Sequence, residues 1–275
     1  MDTGKIKNFG ILVLAVANLF LLFVSASNAA REAEVRSAAK QELVELYARN
    51  GVSLSAPLDV YDAAPRAVEL TRNMEAEMRI AEAVIGECTV VRQGGNIYVY
   101  NGARGDASFR GTGEFEMLLD YGVADMSGGA VDTASGILED MGMERGSYTY
   151  EDEGDGEYIV TFNCRYNGVD VYNARISFLF YGESLMMISG KRVFDAPAAS
   201  DQSDALSLGP ALVRFLDEAE SNGYIFTEVT GAAAGYAMEV TVSGDCALSP
   251  VWYINTDAGD YTLSAVTGRL VTIAY

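Results

Sequence analysis

The strongest constraint on the fold is a set of alternating segments joined by short glycine turns. Tyr158–Tyr166 places an apolar, aromatic or cysteine side chain at every second position, the pattern of a strand with one buried face. Asn167-Gly168 follows, a dipeptide typical of a type I′ turn. Val169–Phe180 then returns, and Leu185–Phe194 adds a third strand. The pattern predicts an antiparallel meander in the middle of the chain.

Helical segments alternate with strand segments along the rest of the chain. Apolar residues recur at helical spacing, and several of these segments end at a glycine, as a helix C-terminus favours. The predicted helices are Glu32–Asn50, Asn73–Ile85, Thr133–Met141 with Asp132 as its N-cap, and Ala211–Ser221. Three times a helix precedes an antiparallel meander. We therefore expect an α+β fold of repeated helix-plus-antiparallel-sheet units.

An apolar run at Phe9–Ala26 predicts an N-terminal transmembrane helix. Its eighteen residues reach about 27 Å as a helix, close to the thickness of a bilayer core. Lys5 and Lys7 precede the run, which places the N-terminus in the cytoplasm and the rest of the chain outside. A cleaved signal peptide is the alternative, since Ser27-Asn28-Ala29 offers small residues at the spacing for cleavage. The expected localisation is a single-pass protein of the cell membrane.

These segments predict a division of the chain into seven parts. They are a cytoplasmic tail (1–8), a transmembrane anchor (9–26), a stalk helix (27–51), a first extracytoplasmic α+β subdomain (52–130), a central helix–meander unit (131–196), a linker (197–209) and a C-terminal helix–meander unit (210–275).

Charge and composition exclude several classes of function. The net charge of −20 makes nucleic acid an improbable partner, because phosphate binding needs Lys and Arg in excess. Histidine is missing from the sequence, which removes histidine-dependent nucleophiles and histidine-ligated metals. The acidic run Glu151–Glu157 begins like a calcium loop, but position 12 is Phe162 instead of a bidentate Glu. It predicts a solvated hairpin tip. We expect no catalytic residue, no metal and no cofactor.

Three cysteines lie far apart, at Cys88, Cys164 and Cys246. Each sits in an apolar, strand-like segment, so we expect small buried side chains. One disulfide with a spare thiol is the alternative outside the cytoplasm. The isolated Trp252 is expected in the core or at a strand edge.

Three parts of the sequence resemble the YycI/YycH family, accessory regulators of the WalK (YycG) sensor histidine kinase. The opening Met1–Asn8 with Asn18–Leu22 resembles the family's anchor. Tyr166–Ala174 with Leu185–Gly190 resembles its central hairpin. The ending, Pro250–Ile254 with Tyr261–Leu270, is similar to that family and to the wider PepSY-like domains. Thr3 stands where the family has Trp.

The resemblance implies a non-catalytic, extracytoplasmic regulator of a membrane sensor histidine kinase, with a YycH-like paralogue as a further partner and the lipid bilayer around the N-terminal helix. Close packing and interhelical hydrogen bonds drive helix association in membranes. The expected contacts with a partner helix are Phe9, Val13, Val16, Asn18, Phe20 and Phe23.

Two other functions remain open from the sequence. The first is a PepSY-like envelope binding module or peptidase inhibitor that acts through its soluble domain. The second is a cell-wall enzyme with two catalytic carboxylates, since glycoside hydrolysis needs no histidine.

Overall fold

The computed structural model describes residues 31, 33–55, 58–122, 124, 126, 128–191, 193, 196–198, 205–241 and 245–271. Four helices lie in this part of the chain: α1 (33–49), α2 (Met74–Ile85), α3 (Ala130–Asp140) and α4 (Leu208–Asn222). The strands are β1 (Ser53–Leu54), β2 (Val68–Thr71), β3 (Cys88–Gly94), β4 (Ile97–Gly102), β5 (Gly105–Phe109), β6 (Glu114–Leu119), β7 (Arg145–Gly154), β8 (Glu157–Tyr166), β9 (Val169–Tyr181), β10 (Ser184–Lys191), β11 (Ala196–Ala198), β12 (Glu228–Val240), β13 (Cys246–Thr256), β14 (Gly259–Ser264) and β15 (Leu270–Val271).

Eight of these strands form an antiparallel array, which we call the eight-stranded sheet. Its spatial order is β3-β4-β5-β6-β10-β9-β8-β7. The other strands gather around β13, which pairs with β12 on one side and with β2 and β14 on the other. β11 extends this group beyond β2, β15 pairs with β14, and β1 runs parallel to β12. Tyr236 of β12 pairs in parallel with Val171 of β9, which joins both groups into one mixed sheet.

The predicted fold class, an α+β chain of repeated helix-plus-antiparallel-sheet units behind a transmembrane helix, is wrong. The described chain is mostly β, with one large mixed sheet and four helices. Local periodicity indicates strands and turns but carries no information about which distant strand lies alongside. Here β6 pairs with β10 and β9 pairs with β12, so the segments merge into a shared sheet instead of forming separate units.

The prediction of a single-pass membrane protein also needs correction. Within the residues that the structure describes, every helix is too short or too polar to cross a membrane. The segment 9–26, on which the predicted anchor rests, lies outside the described residues.

The helix boundaries follow from capping. Asn73 precedes α2, and its side-chain oxygen accepts a hydrogen bond from the backbone N–H of Ala76 at 3.1 Å. Gly86, at φ 80°, ends the same helix as predicted. The predicted N-cap of α3 is wrong, because that helix begins at Ala130 after Gly129. Asp132 lies in the first turn instead, where its negative charge interacts favourably with the helix dipole.

The central meander is confirmed. β8 and β9 pair in antiparallel fashion on either side of Asn167 and Gly168, whose φ values of 49° and 76° are those of a type I′ turn. Val160, Phe162 and Cys164 are buried on one face of β8, as the alternation predicts.

Two apolar cores stabilise the fold. The first lies between α2, α3 and one face of the eight-stranded sheet, and it extends to buried residues of β2, β12 and β13. The second holds α1 and α4 against β12, β13 and β14. Trp252 is buried there, as expected, and its indole N–H donates to the carbonyl of Leu206 at 2.9 Å. Tyr47 of α1 donates to the carbonyl of Leu212 of α4 at 2.7 Å, which joins the two helices.

A buried ion pair fastens α2 to the eight-stranded sheet. Glu77 has no exposed surface, and Arg72 donates to both of its carboxylate oxygens, at 2.6 and 3.0 Å. The hydroxyl of Tyr100 on β4 donates to the same carboxylate at 3.1 Å. Arg72 also donates to the carbonyls of Asn96 and Phe109 and lies 4.5 Å from the ring centre of Tyr98. Every charge in this cluster is thereby matched by a partner.

We expect Glu77→Ala to lower the free energy of unfolding by about 3 kcal/mol, because it leaves the Arg72 guanidinium unpaired in a mostly buried position. Urea denaturation measures this loss. Glu75→Ala, which removes an exposed carboxylate from the same first turn, is the matched control and should cost no more than about 1 kcal/mol, the interaction of its charge with the helix dipole. Equal losses in the two variants would contradict a stabilising role for the pair.

Candidate functional site: an open sheet edge

The described residues contain no cluster of three or more Cys, Asp or Glu side chains suited to a metal ion. That the chain is not an enzyme stays a prediction. The predicted contacts with a partner helix, Phe9, Val13, Val16, Asn18, Phe20 and Phe23, lie outside the described residues.

The three cysteines are free thiols in the structure, so the alternative prediction of one disulfide is wrong. Cys164 and Cys246 are buried, and Cys88 is half-buried. Burial raises the pKa of the Cys164 thiol to about 12, against a smaller lowering by Lys191. Burial, with a further contribution from Glu82, also raises the pKa of Cys88. These thiols are poor nucleophiles near neutral pH.

The acidic run is a hairpin tip, as predicted. Gly154 at the end of β7 pairs with Glu157 at the start of β8. Asp155 and Gly156 form the turn at φ 51° and 82°. Glu151, Asp152 and Glu153 belong to β7 itself and are exposed. The hairpin therefore carries its negative charge at one end of a strand.

Strand β7 is an open edge of the eight-stranded sheet. Among the described strands it pairs with β8 alone, and nine of its ten residues are exposed. Its register with β8 is regular from Tyr148 to Asp152 and shifts on either side of that stretch. An unpaired strand edge presents backbone N–H and C=O groups to any extended chain that approaches it.

Two tyrosines stand beside this edge on the face that carries α3. Tyr148 lies 5.7 Å from the ring of Phe162, and Tyr150 lies 6.0 Å from the ring of Tyr158. Their exposed fractions are 55% and 50%, because no further strand covers their outer sides. Tyr158 in turn stacks on Phe180 at 5.4 Å and donates to the carbonyl of Gly182. The tyrosines are therefore held by rings from the core and remain accessible at the sheet margin.

A cavity of about 430 Å³ lies between α2, the end of α3 and the β8–β9 turn. Two charged side chains at its rim, Glu144 and Arg165, have partners within the fold. Glu144 accepts from the backbone N–H of Gly168 at 2.7 Å, and the Nε of Arg165 lies 3.0 Å from a carboxylate oxygen of Asp170. These contacts hold the turn against the segment after α3, so we assign the cavity a structural role.

Sequence reasoning located the acidic hairpin but missed the strand that leads into it. Tyr148-Thr149-Tyr150 is rich in strand-favouring residues, and this signal could have extended the strand towards Arg145. The open edge could not be found in this way, because edge position depends on the spatial order of strands.

No known family model matches the chain. No curated protein matches it either. Among solved structures, an uncharacterized protein from Eubacterium rectale aligns with 81% of this chain and 90% of its own, at 10% identity and a TM-score of 0.48. The C-terminal domain of YpeB from Bacillus megaterium aligns with 75% of this chain and 98% of its own, at 13% identity and a TM-score of 0.39.

The PepSY-like character of the C-terminal part stays a prediction. Both TM-scores are too low for either likeness to carry an argument. Membership of the YycI/YycH family stays a prediction.

The burial of Cys164 predicts its chemical behaviour. We expect N-ethylmaleimide at pH 8 to modify Cys164 in the folded protein at least roughly a hundredfold more slowly than in urea, because the thiolate is both rare and inaccessible. Mass spectrometry of the labelled peptides measures the rate, with the half-buried Cys88 as the internal comparison. Modification of both thiols at the same rate in the folded protein would contradict this expectation.

Proposed function

We propose that this chain is a binding module that accepts an extended segment of another polypeptide as an added strand along β7. The observation that carries the proposal is the ten-residue edge strand itself, which has one neighbour among the described strands and two exposed tyrosines. Strand addition uses main-chain hydrogen bonds for affinity and alternate side chains for specificity.

The regular stretch Tyr148–Asp152 sets the length of the interaction. Five paired residues span about 17 Å, enough for a short extended segment. Alternate side chains of the added strand lie over Tyr148 and Tyr150, where an aliphatic or aromatic group covers the exposed sides of both rings. The side chains between them lie on the opposite face, over Thr149 and Glu151. These two residues favour polar or basic groups in the added strand.

Charge defines the partner further. The exposed carboxylates near the β7–β8 turn are Glu151, Asp152, Glu153, Asp155, Glu157 and Glu183. Such a cluster attracts a cationic segment and raises its rate of association, an effect that salt screens. The proposed ligand is therefore an extended polypeptide that alternates apolar and basic residues.

This proposal develops the binding-module interpretation of the sequence. Regulation of a sensor histidine kinase stays a prediction from the resemblance, and the proposal does not depend on it.

We expect the double substitution Tyr148→Ala, Tyr150→Ala to weaken binding of a fluorescent peptide of about eight residues, alternating Val and Lys, by at least about tenfold, because the variant lacks both rings that the peptide covers. Fluorescence anisotropy measures the affinity. Tyr121→Ala is the matched control: Tyr121 is 78% exposed and lies outside β7, so its loss should leave the affinity unchanged.

A peptide that alternates Val and Glu tests the role of charge and should bind far more weakly. Hydrogen exchange tests the geometry, since an added strand protects β7 amides while those of the other edge strand, β3, exchange as before. Unchanged exchange along β7 in the saturated complex would rule out strand addition.

A further inference from the structure

The face of the eight-stranded sheet that points away from α2 and α3 bears side chains that belong to neither apolar core. Ser177 and Leu179 on β9 and Met187 and Ser189 on β10 alternate with the buried Phe178 and Ile188 of the same strands. The buried residues of α1 and α4 lie in the second core. Within the described residues, these four side chains are half-buried and Arg175 on the same face is exposed, so a ligand can reach this face.

The register of the strands aligns a row of charged side chains across this face. Lys191 on β10 pairs with Glu114 on β6, and the backbone N–H of Arg110 donates to the carbonyl of Glu114 at 2.8 Å. Gly190 pairs with Ile176, so the next residues, Lys191 and Arg175, adjoin across β10 and β9. The order along the row is Arg110, Glu114, Lys191, Arg175.

A second row, two residues further along each strand, carries short polar groups. Ser189 pairs with Glu116 on one side and with Ser177 on the other. Ser177 lies opposite Thr161, and their hydroxyl oxygens are 2.9 Å apart. Small hydroxyl side chains beside longer charged ones produce a depression of about 320 Å³, lined by residues of both rows.

One wall of the depression is held rigidly. The side-chain oxygen of Asn173 accepts from the backbone N–H of Met238 at 2.7 Å, and its amide donates to the Met238 carbonyl at 2.8 Å. The ammonium of Lys191 donates to the carbonyl of Asn173 at 2.8 Å. Lys191 is thereby positioned on the Arg175 side of the row.

We propose that this depression binds a small monocarboxylate that also carries hydroxyl or ammonium donors. Three cations, Arg110, Arg175 and Lys191, outnumber the two carboxylates in the lining of this depression, which is a local exception in a chain of net charge −20. A carboxylate between Lys191 and Arg175 forms charge-assisted hydrogen bonds with both.

The two glutamates define the rest of the ligand. Glu114 and Glu116 line the same depression and disfavour a ligand with a second negative charge near β6. Their oxygens accept hydrogen bonds, so ligand hydroxyl or ammonium groups fit on that side. Ser177 and Ser189 contribute hydroxyl groups between the two ends. A uronic acid and a short peptide with its terminal carboxylate both have this chemistry.

Isothermal titration calorimetry of the full chain with two probes distinguishes these sources. D-Glucuronate is compared with D-glucose, and glycylglycine with glycylglycinamide, so that each pair differs in the carboxylate. We expect glucuronate or glycylglycine to bind, and the matching compound without the carboxylate not to bind. Binding by glucuronate alone identifies a sugar acid, and binding by glycylglycine alone identifies a peptide terminus. Failure of both carboxylates to bind at millimolar concentrations would overturn the proposal.

The substitution Arg175→Gln should raise the dissociation constant of the bound carboxylate about tenfold. Arg49→Gln removes the same charge from the exposed surface of α1 and should leave it unchanged. An equal rise of the dissociation constant in both variants would show that only the overall charge of the protein matters, and would contradict a specific site at Arg175. Because Arg175 lies on the sheet face, its variant should keep full affinity for the peptide that binds β7. The two proposals can therefore fail separately.

Discussion

The fold depends on the pairing of strand β9 along both of its edges. β8 follows one edge for most of its length, while β10 and then β12 share the other. The backbone N–H and C=O groups of a buried strand need hydrogen-bond partners along both edges. For β9, three different strands supply these partners. Val171, Ala174, Ile176, Phe178 and Phe180 of this strand are all buried in the first core. Through its pairing with β12, this one strand joins the eight-stranded sheet to the strands around β13.

One-sided burial of the eight-stranded sheet leaves a face for the proposed carboxylate site, and its strand order leaves an open edge at β7. Helices α2 and α3 cover one face, and their contacts are fixed by apolar packing and by the Arg72–Glu77 pair. The other face remains solvated, as antiparallel sheets allow. Strand β7 has an open edge because the next strand in the chain, β8, lies on its inner side between β7 and β9. A partner chain and a small carboxylate thus reach different parts of one rigid framework.

Charge is distributed unevenly over this framework. Carboxylates concentrate at the β7–β8 turn, whereas Arg110, Arg175 and Lys191 converge on the solvated face. These groups are far apart in the sequence, and strand register alone brings the three cations together. The overall acidity of the chain therefore says little about the local charge of either site.

Local chemistry in the sequence determined the β8–β9 hairpin, the caps of α2 and the acidic turn. Each depends on neighbours within a few residues, through alternation, positive φ at Asn167 and Gly168, or a side chain at a helix end. Tertiary structure alone decided the mixed sheet, the open edge at β7 and the row from Arg110 to Arg175. Those features require distant strands to pair in a particular order and register, and a period-2 pattern is the same whichever strand lies alongside.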